Sequence, residues 1–223
     1  MNEQGFRDRR EAGRRLAEAL QAYAGRDDVL VLALPRGGVP VAFEVAQALG
    51  AELDLLLVRK LGTPGQPELA MGAIASGGIE VLNPSVVQGL GIDRATIDRV
   101  AEQEYAELRR RERAYRGDRP LPRIEGRCVI LVDDGLATGS TMRAAIAAVR
   151  QCDPACIVVA VPVAPPDTVE HLRTEVDDVV VLLTPTWFAA VGQWYADFSQ
   201  TTDEEVRTLL QQAWEARPAE GTP

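Results

Sequence analysis

The sequence predicts an α/β fold with a central parallel sheet of about five strands flanked by helices, and a hood over its ligand-binding edge. Three observations predict this class. Continuous apolar runs such as VLVLAL at 29–34 and LDLLLV at 53–58 are typical of buried strands. Stretches with helical spacing separate these runs, as in a parallel sheet. Glycine and proline end the strands, as in PRGG at 35–38.

The elements of the first half follow in chain order. Helical spacing predicts a helix within 6–23 and another over 39–49, which ends at Gly50. The strands are the two apolar runs named above. The stretch 59–78 is rich in glycine and proline, so we expect a long loop or loose ribbon, which in a compact domain is often a functional lid.

The second half resumes the alternation after a charged helix over 93–115 and a proline-containing linker. We interpret residues 1–223 as one domain in which 60–125 forms a flexible loop and hood insertion, with a frayed end at 217–223. The remaining predicted elements are strands at 128–132, 157–163 and 179–183, and helices at 140–150, 167–173 and 202–214.

Composition excludes several classes of protein. The net charge is −9, whereas nucleic-acid-binding proteins are normally basic, so nucleic acid is not an expected partner. No apolar run is long enough to span a membrane, and the charged N-terminus lacks a signal core, so we expect a cytoplasmic protein. The arginines of 109–119 follow and partly alternate with glutamates, which is typical of a solvated helix face; contact with nucleic acid or another subunit is the alternative.

Cysteine and histidine content argues against a zinc site. Cys128, Cys152 and Cys156 are odd in number, no two have CxxC spacing, and His171 is the single histidine. We therefore expect buried, reduced thiols.

The segment from Val129 to Thr141 carries the strongest chemical signal. A buried strand is followed directly by Asp133 and Asp134, then by a loop of small residues that leads into a helix. Ligands of an open parallel sheet bind beyond the carboxyl ends of its strands, and a helix N-terminus offers free N–H groups to an anion. The loop lacks the lysine of a Walker A motif. Paired carboxylates suit hydroxyl groups or a divalent cation, so the pattern fits a ribose 5-phosphate.

This segment, VILVDDGLATGST, resembles the motif by which type I phosphoribosyltransferases bind phosphoribosyl pyrophosphate (PRPP). The resemblance implies the type I phosphoribosyltransferase fold, PRPP as substrate and Mg²⁺ as cofactor. It implies that Asp133 and Asp134 bind the ribose hydroxyls and the Mg²⁺. The residues implied for the 5′-phosphate loop are Ala137, Thr138, Gly139, Ser140 and Thr141.

Ala137 departs from part of that family. Hypoxanthine-type members carry an aspartate at this position that is proposed to act as a base, whereas an alanine resembles the adenine-type members. A proton acceptor must therefore come from elsewhere, and Glu68 in the glycine-rich stretch is our candidate.

Three further residues are implied to face pyrophosphate. Arg36 and Gly37 follow the first strand, where the family binds pyrophosphate: the glycine lets the backbone approach and the arginine supplies a forked cation. Taken alone, PRGG is equally a turn with a surface arginine. Lys60 is the single lysine of the chain, which suggests that a compact ammonium is needed beside the pyrophosphate. The alternative is that its single occurrence is due to chance.

Trp187 and Phe188 follow the last strand and are candidates for stacking on an acceptor base. The run 188–197 is loosely similar to the purine-facing segment of hypoxanthine-type members. The alternative is an aromatic core under the C-terminal helix.

The chain also resembles bacterial predicted phosphoribosyltransferases whose acceptor is unassigned. We expect a pentosyltransferase of nucleotide metabolism that transfers phosphoribose from PRPP to a nitrogen nucleophile, with a purine-like base favoured, and releases pyrophosphate. The alternative is a non-catalytic PRPP or nucleotide sensor, and a homodimer is compatible with either. Besides the PRPP motif, the stretches that carry the resemblance are FRDRREAGRRLA, LPRGGVPVA, VRKLGTPGQPELAMGAI and FAAVG.

Overall fold

A parallel sheet forms the centre of the computed structural model, which describes residues 5–216. Its strands are Val29–Ala33 (β1), Glu52–Leu55 (β2), Cys128–Val132 (β6), Cys156–Val163 (β7) and Asp178–Leu183 (β8). They lie in the order β2-β1-β6-β7-β8, and every neighbouring pair is parallel. The predicted α/β class with about five parallel strands is confirmed. No helix within the described range is both long enough and apolar enough to cross a membrane.

Helices cover both faces of this sheet. They are Arg9–Ala19 (α1), Gly38–Leu49 (α2), Pro84–Gly89 (α3), Arg94–Arg116 (α4), Ser140–Arg150 (α5), Pro166–Arg173 (α6) and Asp203–Ala216 (α7), with 3-10 turns at Gln21–Tyr23 and Val191–Trp194. Alternate residues of β1 enter two different cores: Val31 packs with α1, α2 and α7, and Leu32 packs with α5 and α6. Because both faces are buried, the strands read as continuous apolar runs. The predicted frayed end at 217–223 lies outside the described residues.

A second, antiparallel sheet follows β2, which is an edge strand of the parallel sheet. It consists of Val58–Thr63 (β3), Gln66–Ala75 (β4) and Ile79–Leu82 (β5), paired in that order. We expected a long loop or a loose ribbon here; the residues form paired strands, so the loop form was wrong. The extension of the second strand to residue 58 was also wrong, since β2 ends at Leu55. The glycines have specific places here: Gly65 adopts a φ of +79° in the β3–β4 turn, and a Cβ at Gly72 would lie 2.5 Å from the Val81 carbonyl oxygen.

Two smaller expectations are corrected by this packing. Cys128 and Cys156 are paired residues of β6 and β7, their Cα atoms are 4.5 Å apart, and a disulfide joins them instead of reduced thiols. Only Cys152 is a free thiol among the described residues. Arg116 belongs to the arginine cluster that we assigned to a solvated helix face, yet it is buried and bonded to Asp54 of β2 at 2.7 Å.

Candidate functional site

Asp133 and Asp134 lie at the carboxyl edge of the central sheet, where β6 ends at Val132. The Asp134 backbone N–H donates to Asp133 Oδ1 at 2.8 Å, and Arg9 Nε donates to Asp134 Oδ2 at 2.8 Å. Burial and the neighbouring Asp134 charge raise the pKa of Asp133 well above its ordinary value. Burial also raises the pKa of Asp134, although the Arg9 guanidinium opposes that shift. The site therefore contains two desolvated carboxyl groups of which one has a cation partner.

The PRGG loop rests directly on these two acids. The space that a side chain at Gly37 would need is filled by the Asp134 carboxylate, and a Cβ at Gly38 would lie 2.9 Å from Asp133 Cα. The peptide bond between Pro35 and Arg36 is cis. Only glycine permits this approach, so the loop backbone lies directly beside the two acids. The Gly38 N–H donates to the Leu34 carbonyl at 3.1 Å, within the turn itself. The Arg36 side chain itself points to α7, with Nη1 3.5 Å from Asp203 Oδ1.

The predicted 5′-phosphate loop precedes α5, and its geometry leaves the helix start open. Gly139 is the N-cap in a left-handed conformation with φ +70°, and as a glycine it supplies no side-chain cap. Thr138 Oγ1 accepts the Ser140 N–H at a long distance of 3.4 Å. Ala137, Thr138, Ser140 and Thr141 are exposed. Thr168 on α6 holds the loop by donating from Oγ1 to the Ala137 carbonyl at 2.7 Å. Because the N-cap residue supplies no side-chain acceptor and the Thr138 contact is long, the first-turn N–H groups and the helix dipole favour an anion at this place.

Lys60 reaches this same loop from the antiparallel sheet. Its Nζ donates to Ser140 Oγ at 2.9 Å, so its contact is with the 5′-phosphate loop and not with the PRGG loop. Glu68 lies exposed on the outer part of β4, and no hydrogen bond within the described range joins it to the acid pair. The structure thus brings Lys60 to the predicted site and leaves Glu68 outside it.

The aromatic pair after β8 occupies a surface loop. The Trp187 side chain is 88% exposed, which is incompatible with the alternative of a core role, whereas Phe188 is half-buried. Gln193 organises the loop, because its Oε1 accepts from the backbone N–H groups of Ala189 and Ala190 at 3.2 and 3.3 Å. An indole held out into solvent on an ordered loop is available for stacking.

Sequence reasoning missed the residues that support the acid pair from the chain ends. Tyr195 donates its hydroxyl to the Asp134 carbonyl oxygen at 2.5 Å, and its ring lies 5.4 Å from Phe6 and 5.1 Å from Phe198. Arg9 lies over the Phe198 ring at 4.0 Å. The available signal was the FRDRR stretch at 6–10, in which Phe6 precedes the first helix and Arg9 and Arg10 begin it, without any chemistry-bearing motif.

Fold and site together define an α/β protein with a carboxylate pair, a glycine backbone approach and an uncapped helix start at one edge of a parallel sheet. Residues 8–199 match the model of the phosphoribosyl transferase domain, and the chain belongs to that family. The type I phosphoribosyltransferase fold predicted from the sequence is thereby confirmed.

Relatives with substantial identity support this placement. Proteins of Mycobacterium tuberculosis strains CDC 1551 and H37Rv, provisionally named phosphoribosyl transferases, are 49% identical over 208 residues, which is 93% of this chain. The match covers 47% of each of those proteins, so the chain spans about half their length. The crystal structure of TT1426 from Thermus thermophilus is 50% identical, with a TM-score of 0.85 over 93% of this chain and 98% of that one.

Proposed function

We propose that this protein transfers the 5-phosphoribosyl group of PRPP to a nitrogen nucleophile, with a purine-like base favoured, and releases pyrophosphate. One observation supports the proposal: the Gly37–Gly38 backbone packs closely against Asp133 and Asp134. The N-terminus of α5, which begins after Gly139, lies at the same edge of the sheet. A ligand that uses all three features needs a diol, a terminal phosphate and a second anionic group. PRPP has each of them.

The residues of the acid pair would act on the ribose. As the bond from C1′ to pyrophosphate breaks and the acceptor nitrogen bonds to C1′, positive charge develops on the ribose ring. Asp133 and Asp134, held at the end of β6, would bind the diol and stabilise that charge. The 5′-phosphate would lie on the first-turn N–H groups of α5, with Lys60 beside it through Ser140.

The PRGG loop would receive the leaving group. Pyrophosphate takes the electron pair of the broken bond, and it would form beside the acids, next to the loop backbone at Gly37. The Gly38 N–H is not available to it, because it donates to the Leu34 carbonyl at 3.1 Å. Arg36 would exchange its partly exposed partner Asp203 for the pyrophosphate. The antiparallel sheet, by approaching the site, would exclude the water that competes with the acceptor.

The acceptor side rests on fewer contacts. Trp187 and Phe188 would stack on a planar base, since their loop follows β8 at the ligand edge of the sheet. The acceptor proton leaves when the new bond forms, and Glu68 remains the candidate for taking it if the β4 region moves over the site.

The acid pair fits Mg²⁺. Asp133 is desolvated beside a second carboxylate, and Arg9 makes its direct ion pair with Asp134, so a cation would balance charge at Asp133. Within the described range no cluster of three acidic, histidine or cysteine side chains could hold a metal. Mg²⁺ commonly takes one or two protein carboxylates and completes its shell with water and substrate phosphates, so Asp133 and Asp134 suffice as its protein ligands. When bound, the ion would neutralise charge on the pyrophosphate.

Pyrophosphate release tests the proposal. The protein is incubated with PRPP, Mg²⁺ and a panel of purines, pyrimidines and other nitrogen nucleophiles, and we expect release with at least one acceptor class. Asp133→Asn combined with Asp134→Asn should weaken PRPP binding by about 1.5–3 kcal/mol, because charged hydrogen-bond partners of the diol are lost. Unchanged PRPP affinity in calorimetry would refute the assignment of the acids.

A non-catalytic PRPP or nucleotide sensor is the second candidate. The observation that favours it is Ala137, which places a methyl group where hypoxanthine-type relatives carry a candidate base. Tight PRPP binding without pyrophosphate release for any acceptor in the panel would decide for the sensor.

A further inference from the structure

Arg9 makes three different contacts around the acid pair. Its Nε donates to Asp134 Oδ2 at 2.8 Å, its Nη1 donates to the Ser199 carbonyl oxygen at 2.7 Å, and its guanidinium carbon lies 4.0 Å from the centre of the Phe198 ring. The Arg9 side chain is only 12% exposed and that of Asp134 14%. The ion pair is thus shielded from water. A charge-assisted hydrogen bond in such a shielded place is stronger than one at the surface.

The segment that carries Arg9 is itself fixed against the far end of the domain. The Phe6 backbone N–H donates to the Trp194 carbonyl at 2.7 Å, and Ala196 N–H donates back to the Phe6 carbonyl at 2.8 Å. Tyr195, next to these bonds, donates its hydroxyl to the Asp134 carbonyl oxygen. Asp134 is therefore held from both sides, by Arg9 at its carboxylate and by Tyr195 at its backbone.

Charge gives this arrangement a functional consequence. Two adjacent carboxylates would repel the polyanionic PRPP before the diol could form its hydrogen bonds. Arg9 compensates one of them and leaves Asp134 Oδ1 without a cation partner in the described structure, while Asp133 Oδ1 accepts only the backbone N–H of Asp134. The pair keeps acceptors for hydroxyl groups at a lower net negative charge.

We infer that Arg9 is a positioning residue for PRPP, which fixes the Asp134 carboxylate and compensates its charge so that the ribose diol meets preorganised acceptors. The inference rests on the proposed function, since it concerns the same acid pair. It adds a residue outside the PRPP motif and the PRGG loop, and it explains why the chain brings residues of the first helix to the carboxyl edge of the sheet.

The geometry requires an arginine. The planar guanidinium directs Nε and Nη1 to two different acceptors while its face lies on an aromatic ring, and a single ammonium cannot reproduce that combination. Arg10 is the matched control, because it follows directly in α1 but pairs with Glu44 and is 47% exposed. A change there alters the charge of the same helix turn without touching the acids.

The test measures PRPP affinity by calorimetry for the full-length wild type, Arg9→Ala, Arg9→Lys and Arg10→Ala, with thermal unfolding to confirm that each is folded. We expect Arg9→Ala to weaken PRPP binding roughly ten- to hundredfold, as for loss of a hydrogen bond to a charged group. Arg9→Lys should restore only part of the affinity, and Arg10→Ala should keep the wild-type value. Low-millimolar guanidinium should restore binding to Arg9→Ala, because it can refill the space beside Asp134.

Each outcome has a separate meaning. Wild-type affinity in Arg9→Ala would overturn the inference while leaving the proposed function intact. Weaker binding that guanidinium does not restore, with an equal loss in Arg10→Ala, would also overturn it, since the effect would then be structural. If Arg9→Ala does not fold, Arg9→Gln is measured in the same way and decides the question. A wild type that fails to bind PRPP would instead overturn the proposed function, and the inference with it.

Discussion

If Asp133 binds the ribose as proposed, its carboxyl group is where ligand binding and stability oppose each other. It is desolvated and lies beside a second carboxylate, and both effects raise its pKa in the folded chain. For an acid with a raised folded pKa, the stability contribution is fully present below the unfolded pKa and is lost as the pH rises to the folded pKa. The folded chain therefore loses stability as the pH rises from the ordinary aspartate pKa, about 3.9, toward the raised value.

Asp133→Asn should stabilise the ligand-free protein at neutral pH. The amide removes the buried charge, and the expected gain is about 0.5–2 kcal/mol, as is common when a functional site is neutralised. Thermal unfolding at neutral pH and near pH 3 measures it: the melting temperature should rise in the first condition and change little in the second. An equal gain at both pH values would show that charge is not the cause.

At the level of elements, β3 brings Lys60 to the first turn of α5, where its side chain contacts Ser140. We predicted from sequence that it faces pyrophosphate. Its hydrogen bond to Ser140 instead favours the 5′-phosphate, which would lie on the same turn. The two placements predict weaker binding of different ligand fragments when Lys60 is replaced: ribose 5-phosphate in one case and pyrophosphate in the other.

Lys60→Ala should therefore weaken binding of ribose 5-phosphate by about 1 kcal/mol, or roughly fivefold in Kd, and leave pyrophosphate affinity unchanged. Lys60→Arg should restore part of the loss, since a planar fork replaces a compact charge imperfectly. Calorimetry with each fragment distinguishes the cases. Weaker binding of pyrophosphate alone would support the sequence-based prediction that Lys60 faces pyrophosphate.

The Asp54–Arg116 pair joins β2 to the end of α4. Arg116 Nη2 donates to Asp54 Oδ1 at 2.7 Å and to the Leu55 carbonyl at 3.0 Å, and the two side chains are 5% and 1% exposed. Burial raises the pKa of Asp54, although Arg116 opposes the shift. Each charge is thus acceptable in the interior only because the other is present.

Asp54→Ala should lower the free energy of unfolding by about 3–5 kcal/mol, since it leaves a buried guanidinium unpaired. The control is Arg94→Ala, which removes a surface partner of Glu80 and should cost less than about 1 kcal/mol. The double replacement of Asp54 by Leu and Arg116 by Met should be less harmful than Asp54→Ala in urea unfolding. Similar losses for Asp54→Ala and Arg94→Ala would contradict this account.

Local sequence patterns predicted those elements that depend on local information. The strand β6 and the helix α5 have the predicted bounds, because a run of buried residues, a small-residue loop and a helical stretch follow each other directly. The antiparallel sheet was missed because its glycines serve in turns and close strand contacts that only pairing reveals. The contact of Arg9 with Asp134 was missed for a similar reason, since 125 residues separate the two.

At the scale of the whole molecule, ligand binding and folding should be linked. A ligand that binds only the folded chain stabilises it by about 2.7 kcal/mol at a hundredfold excess over Kd. We expect PRPP with Mg²⁺ to raise the melting temperature of the wild type and to have little effect on the variant that carries both Asp133→Asn and Asp134→Asn. An equal rise in both proteins would place the ligand elsewhere.

The bond from Arg9 to the Ser199 carbonyl spans 190 residues, so the acid pair is braced only when nearly the whole domain is present. During synthesis the complete PRPP motif leaves the ribosome well before residues 194–199, and contacts of such long range form late in folding. A nascent chain that already contains both aspartates and the phosphate loop would still lack the support of Arg9 and Tyr195. We therefore expect affinity for PRPP to appear only after residues 194–199 have been synthesised and have folded against the first helix.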